Sequence, residues 1–317
     1  MMRKKVVFVI GTGHSGSTLV DLILGSHSHA FSLGELASVP KRILRQKSVS
    51  FCRVCSDTCP VWGAPALQSL LESYFSWEES QNWFLSTLNG HWGSVRKNIY
   101  SNLFQLLNSE VLIDSSKSPS WARRQLRPFW FWRNIDAFLV YVCRDGRGVV
   151  SSYLRKYPSR DIADVAKQWA KVAKSSEKFF HSFPADHRIK IHYEEMALDP
   201  AKAVASLCRK IGLEYEPEML EYWKHDHHIM EGNWGTISLI KKYRQQIQQA
   251  AVQDQQGIIK SRNAIFYDSL GLKIQPDLRW KDELTSEQLA TFDSIAGKQN
   301  QSYVCDLTKL SNKQQVE

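Results

Sequence analysis

No stretch of this chain approaches the roughly 20 consecutive apolar residues that a membrane-spanning helix needs. A secretory leader is not expected either. Arg3, Lys4 and Lys5 precede an apolar run, but Val6–Ile10 is only five residues long before Gly11; a leader core needs roughly 7–15. The run is expected to be a first strand, and the compartment the cytoplasm. Internal repeats are absent, and no Pro/Gly linker brackets residues 40–110. The 317 residues are therefore expected to form one domain, 1–317, with a sizeable core. Acidic residues are in deficit, 32 against 41 basic, for a net charge of +9. Such an excess favours an anionic ligand, an acidic macromolecule or a membrane surface without choosing among them.

The six cysteines lack a zinc-like ligand spacing. Cys143, Cys208 and Cys305 are scattered in apolar contexts and read as buried thiols. Cys52, Cys55 and Cys59 cluster as C-x2-C-x3-C-P, with His91 or another residue as a fourth ligand if a metal binds. A structural zinc, a local disulfide and reduced packing thiols all stay open. Reduced thiols are favoured, and no metal site is assigned.

What is present is an alternation of short apolar runs with helical patterns. Residues 5–25 read as a strand and helix, and 26–36 return the chain to the sheet edge. Val111–Ile113, ending at Asp114, Phe138–Cys143 and Arg188–Tyr193 read as further strands, with helices at 146–156, 161–182 and 201–211. Such alternation predicts an α/β fold with a parallel sheet between two helical layers. Residues 40–110 read as a helical insertion, 225–280 as an acceptor-site or lid region, and 309–317 as a frayed tail.

Between the first strand and helix lies V-I-G-T-G-H-S-G-S-T, residues 9–18. Gly11, Gly13 and Gly16 match a dinucleotide fingerprint, and Glu35 follows Gly11 by 24 residues. The same acid should end a second strand, and H-S-H-A-F-S-L-G-E is a poor one. Gly11 and Gly16 also have P-loop spacing, and V-L-I-D at 111–114 resembles a Mg²⁺-supporting strand. But Ser17 stands where the P-loop lysine should contact the β and γ phosphates. The third reading starts from the hydroxyls of Ser15, Ser17 and Thr18 at a helix N-terminus, which suit one terminal phosphate without a metal. The bland alternative is simple helix capping.

A second anion site follows the strand at 138–143. Arg144 and Ser152 stand eight residues apart, about 80° beyond two helical turns, with Arg147, Arg155 and Lys156 nearby. Arginine offers a planar fork to phosphate, and Arg144 stands at a strand carboxyl end, where open parallel sheets bind ligands.

G-T-G-H-S-G-S-T-L resembles the 5′-phosphosulfate loop of PAPS-dependent sulfotransferases, in the form found in tyrosylprotein, carbohydrate and bacterial members. V-C-R-D-G-R-G-V-V-S-S resembles their 3′-phosphate motif, and I-H-Y-E-E-M-A-L-D-P their later strand-to-helix segment. R-N-A-I-F-Y and D-L-R-W match more loosely. The resemblance implies a P-loop-like three-layer α/β fold. It implies PAPS as cofactor, PAP as product and no required metal. Gly13, His14, Ser15, Gly16, Ser17 and Thr18 would hold the 5′ end, Arg144, Ser152 and Lys156 the 3′-phosphate, and Tyr193 would line the nucleotide site.

Sulfuryl transfer needs a base, in-line placement and positive charge on the leaving oxygen. The resemblance implies Glu35, in S-L-G-E, as the base, its pKa raised by burial near the acceptor. It likewise implies a basic residue near the leaving group at Lys117, in D-S-S-K-S-P. His14 departs from the family, whose members carry Arg or Lys there; it is an alternative base. His225, His227 and His228 read as a polar face near the acceptor mouth, or less readily as a metal site. The acceptor is expected to be a small organic molecule, sulfated on a hydroxyl or amine, with neither nucleic acid nor membrane as partner and a homodimer left open. The rival readings are an NAD(P)-type oxidoreductase and a non-catalytic basic protein that binds anionic polymers.

Overall fold

Val6–Ile10 lie at the centre of a five-stranded sheet, and each is fully buried. A run of β-branched and aromatic residues without polar alternation is what a strand covered on both faces requires. The computed structural model describes residues 3–39, 52–55, 59–80, 99–127, 135–251 and 273–305. The strands are β1 (Lys4–Gly11), β2 (Ala30–Gly34), β3 (Val111–Lys117), β4 (Ile135–Cys143) and β5 (Arg188–His192), in the order β2-β3-β1-β4-β5. Every pairing is parallel.

Helices join the strands: α1 (Ser17–Gly25), α2 (Pro65–Ser80), α3 (Ile99–Leu107), α4 (Pro119–Gln125), α5 (Gly146–Lys156), α6 (Ile162–Ser182), α7 (Tyr193–Leu198), α8 (Pro200–Ile211), α9 (Trp234–Ala251), α10 (Trp280–Glu283) and α11 (Ser286–Asn300). The predicted helices at 146–156, 161–182 and 201–211 lie within one residue of α5, α6 and α8. Each of the three is N-capped by an aspartate side chain, Asp145, Asp161 or Asp199, which satisfies an amide that the helix leaves open.

Two strand expectations need correction. The segment before Glu35, a poor strand by composition, is β2. As an edge strand it needs one bonded neighbour, which β3 supplies. β3 itself continues past Asp114 to Lys117. Within 40–110 the described parts include the helices α2 and α3. The R-N-A-I-F-Y segment, His91 and the 309–317 tail lie outside the described residues. Among the described residues, no helix is long and apolar enough to cross a membrane.

The C-terminal helix α11 locks onto the start of α5. The Asn300 side chain accepts the Gly146 amide at 2.7 Å and donates to Asp145 Oδ1 at 3.0 Å. Phe292 and Trp169 occupy the space into which a Cβ at Gly146 would project.

Candidate active site

In a parallel sheet all carboxyl ends face one edge, and here each strand delivers a candidate there. β1 runs into the Thr12–Gly16 loop, β2 into Glu35, β3 ends on Lys117, β4 runs into Arg144 and β5 into Tyr193. These groups surround one cavity of about 550 Å³. Every residue predicted for the site lines it except Ser15, which is fully buried with its hydroxyl unpartnered among the described residues.

The loop is shaped by close approach. A Cβ at Gly16 would lie 2.5 Å from Tyr193 Cδ2, and one at Gly13 would lie 2.5 Å from the Tyr153 hydroxyl. Gly16 adopts φ +92° and caps α1 without any side-chain hydrogen bond. The hydroxyls of this loop therefore do not cap the helix. Leu19 donates to the Gly16 carbonyl at 3.0 Å, while the amides of Ser17 and Thr18 before it have no intrahelical partner and carry the positive end of the α1 dipole. Ser17 and Thr18, the first two residues of α1, line the cavity.

Arg144 is 6% exposed at its side chain. It donates from Nη1 to the His14 carbonyl at 3.0 Å and from Nη2 to the Asp277 carbonyl at 2.7 Å. Its guanidinium lies 4.6 Å from the Tyr193 ring centroid. The Ser152 hydroxyl is 2.9 Å from His14 Nδ1. Arg144 and Ser152, separate in sequence from the first loop, thus both close on residue 14 of that loop.

His14 is the meeting point of a cationic field. Burial, followed by the charges of Lys156, Lys117, Arg144 and Arg155, pushes its imidazole down to about 3. It is neutral at pH 7. Lys117 Nζ is 2.5 Å from Glu35 Oε1, and the Glu35 amide donates to the Met230 carbonyl. Glu35 was expected in a covering environment near an acceptor. What the structure gives it is an ammonium partner and a side chain still 23% exposed.

Several site residues escaped the sequence reading. Asp277 receives Arg279 through two bonds of 2.7 and 2.9 Å and approaches Arg144 at 3.2 Å. Burial alone would raise its carboxyl, but the Arg279 hydrogen bonds and the charges of Arg144, Arg279 and Arg155 outweigh burial and hold it well below the usual range. The D-L-R-W match pointed at this segment without giving it a role. Tyr153 lines the cavity and no local pattern marks it; the Glu231–Thr236 stretch lines it too, within the segment 225–280 read as an acceptor-site or lid region, although none of its residues was singled out.

Other expectations are corrected. Asp114, the candidate Mg²⁺ support, is fully enclosed, its Oδ2 accepting from Tyr100 at 2.6 Å and Trp121 at 2.8 Å. Burial pushes its carboxyl up, and it does not face the cavity. His225, His227 and His228 do not line the cavity either. His227 is buried against the Tyr222 carbonyl at 2.7 Å, and burial lowers it to about 4. His228 stands beside Cys55 and Cys59. The dinucleotide reading meets a topological obstacle: β3 separates β2 from β1, whereas the dinucleotide fold places the acid-bearing strand next to the first.

The fold compares with known structures as follows. The sulfotransferase domain from the Synechococcus PCC 7002 olefin synthase is 18% identical with a TM-score of 0.51, covering 84% of this chain and 94% of that one. The sulfotransferase domain from the curacin biosynthetic pathway is 20% identical with a TM-score of 0.49, covering 87% and 100%. Sulfotransferase STF9 from Mycobacterium avium is 12% identical with a TM-score of 0.45, covering 96% and 78%. No curated protein matches the chain in sequence. The sulfotransferase family matches residues 6–217, more than half of the sequence and the part that carries all five strand ends, and the chain belongs to that family.

Proposed function

We propose that this protein transfers the sulfuryl group of PAPS to a hydroxyl or amine of a small organic acceptor. The observation that carries the reading is the closure of Arg144 and Ser152 onto His14. It brings a second anion-binding segment against the N-terminus of α1, as a nucleotide phosphorylated at both ends of its ribose requires. The residues fit such a group. Gly13 and Gly16 line the cavity, and Arg144 Nε is buried without a partner among the described residues.

When bound, PAPS supplies the activated sulfuryl group. The α1 amides with Ser17 and Thr18 bind its 5′ end. Arg144, Ser152 and Lys156 bind the 3′-phosphate, and Tyr193 backs Arg144. Glu35 takes the acceptor proton, and Lys117, beside it, adds positive charge toward the leaving oxygen. His14 is the weaker base: an imidazole whose pKa is near 3 has little proton affinity at pH 7. No metal has a step in this scheme. Tyr222, Trp234 and Leu239 line the acceptor side of the cavity, whose volume of about 550 Å³ suits a small molecule.

Thermal shift tests the reading. PAP is expected to raise Tm while NAD and ATP do not; a rise with NAD alone would overturn it. Arg144→Ala is expected to raise KM for PAPS strongly with the fold intact, and unchanged PAPS affinity would refute the 3′-phosphate role.

A further inference from the structure

Behind the acceptor wall, the C-x2-C-x3-C-P cluster meets a histidine from a distant part of the chain. We propose that Cys52, Cys55, Cys59 and His228 form a structural zinc site of Cys₃His type. The four ligand atoms lie within 4.8 Å of one another. His228 Nδ1 is 3.2 Å from Cys55 Sγ and 3.4 Å from Cys59 Sγ. A tetrahedral zinc with Zn–S of about 2.3 Å and Zn–N of about 2.0–2.1 Å sets ligand edges of about 3.5–3.8 Å. The two His228–cysteine distances lie close to those edges, and the whole set, within 4.8 Å, is near enough to converge on one centre.

Hydrogen bonding alone explains the cluster poorly. Nδ1 carries either one proton or one lone pair, and cannot serve two sulfurs equally. A central cation uses all four donors. Three thiolates and an imidazole select zinc over oxygen-preferring cations.

The surroundings orient the ligands in the way metal sites require. His228 Nε2 is 3.0 Å from Asp226 Oδ2, which leaves Nδ1 for the metal. Asp226 is in turn held by Arg244 at 2.5 Å. Backbone amides of Cys55 and Trp62 each donate to a sulfur at 3.3 Å, on Cys52 and Cys59 respectively. The Trp62 indole donates to the His228 carbonyl. Cys52, Cys59 and His228 are buried. Three thiolates around Zn²⁺ leave one net negative charge, and the Arg244 guanidinium stands 3.9 Å from Cys55 Sγ to offset it.

The site joins the segment after β2 to the segment that forms the acceptor wall. Cys52 bridges Met230, the Arg53 amide donates to the Ile229 carbonyl, and Arg53 forks onto Glu231 at 2.6 and 2.8 Å. The metal is therefore a staple, distinct from the transfer chemistry and independent of the acceptor's identity.

The full chain, tag-free and purified without chelator, is expected to hold about one zinc per chain by elemental analysis. A mercurial that titrates the thiols should release it. Cobalt(II) in its place should show tetrahedral d–d bands and thiolate-to-cobalt charge transfer. Asp226 is 73% exposed, so Asp226→Ala should leave the fold intact while weakening zinc about 10–100-fold in a chelator competition. His228→Cys should retain the metal. Zinc well below one per chain after expression with added zinc, or a mass two hydrogens light from a disulfide within the cluster, would overturn the assignment. Tight zinc with unchanged affinity in Asp226→Ala and in Cys59→Ser would overturn it equally.

Discussion

His14 adopts φ +62°, a backbone region that disfavours side chains, and Gly16 adopts φ +92° two residues later. The loop is bent by these two residues around the tyrosines that face them. Gly16→Ala would place a methyl against Tyr193 in a strained conformation. It is expected to lower stability by about 1–3 kcal/mol and to weaken PAP binding, read by urea unfolding and calorimetric titration. Glu35→Gln is expected to lower kcat by about 10²–10⁴ with PAP binding retained. A near-normal kcat would point to a different base. The residues that local pattern exposes are those whose meaning lies in their neighbours: hydroxyls beside glycines, an arginine at a strand end. Asp277 could not be read that way, because its partner Arg144 is 133 positions distant and an isolated aspartate carries no mark of the arginines around it.

At the scale of elements, helix boundaries were the most legible, since aspartate caps and apolar spacing both act locally. β2 was not, because an edge strand is held by its neighbour more than by its own propensity. α1 shows how an element's packing affects pH response. Asp21 on this helix is fully buried, accepts from Ser115 at 2.9 Å, and is pushed up to about 7 by burial. The folded state therefore favours the protonated acid. The associated stability is present below the ordinary carboxylate pKa and is lost as pH rises toward about 7. Asp21→Asn should remove that loss. The variant's stability relative to the parent is expected to improve between pH 4 and pH 7.5, measured by urea midpoints across that range. A constant difference would show that Asp21 is ionised throughout.

Across the whole molecule, part of the basic excess behind the net charge of +9 lies at the site. Lys117, Arg144, Lys156, Lys273 and Arg279 line the cavity against the carboxylates of Glu35, Glu231 and Asp277, and the imidazole of His14, lowered first by burial, is lowered further by Lys156, Lys117, Arg144 and Arg155. Composition alone could not separate such focusing from a diffuse basic surface. The sheet order was equally hidden, because alternation predicts parallel strands but not which lie side by side. Nor does cysteine spacing announce a fourth partner that arrives from residue 228.

The clasp of Asn300 on Asp145 and Gly146 bears on where this protein can be cut. The family match ends at residue 217, yet the helix that carries Ser152 is held at its first turn by a side chain from α11, and Arg144 rests on Asp277. A fragment trimmed to the family boundary would keep the first loop, the Arg144–Ser152 segment and the Tyr193 segment and lose the supports that aim them. The smallest unit that functions is thus longer than the smallest unit that is recognisable, and expression boundaries for this fold belong beyond Tyr303, whose hydroxyl reaches back to Tyr141 on β4.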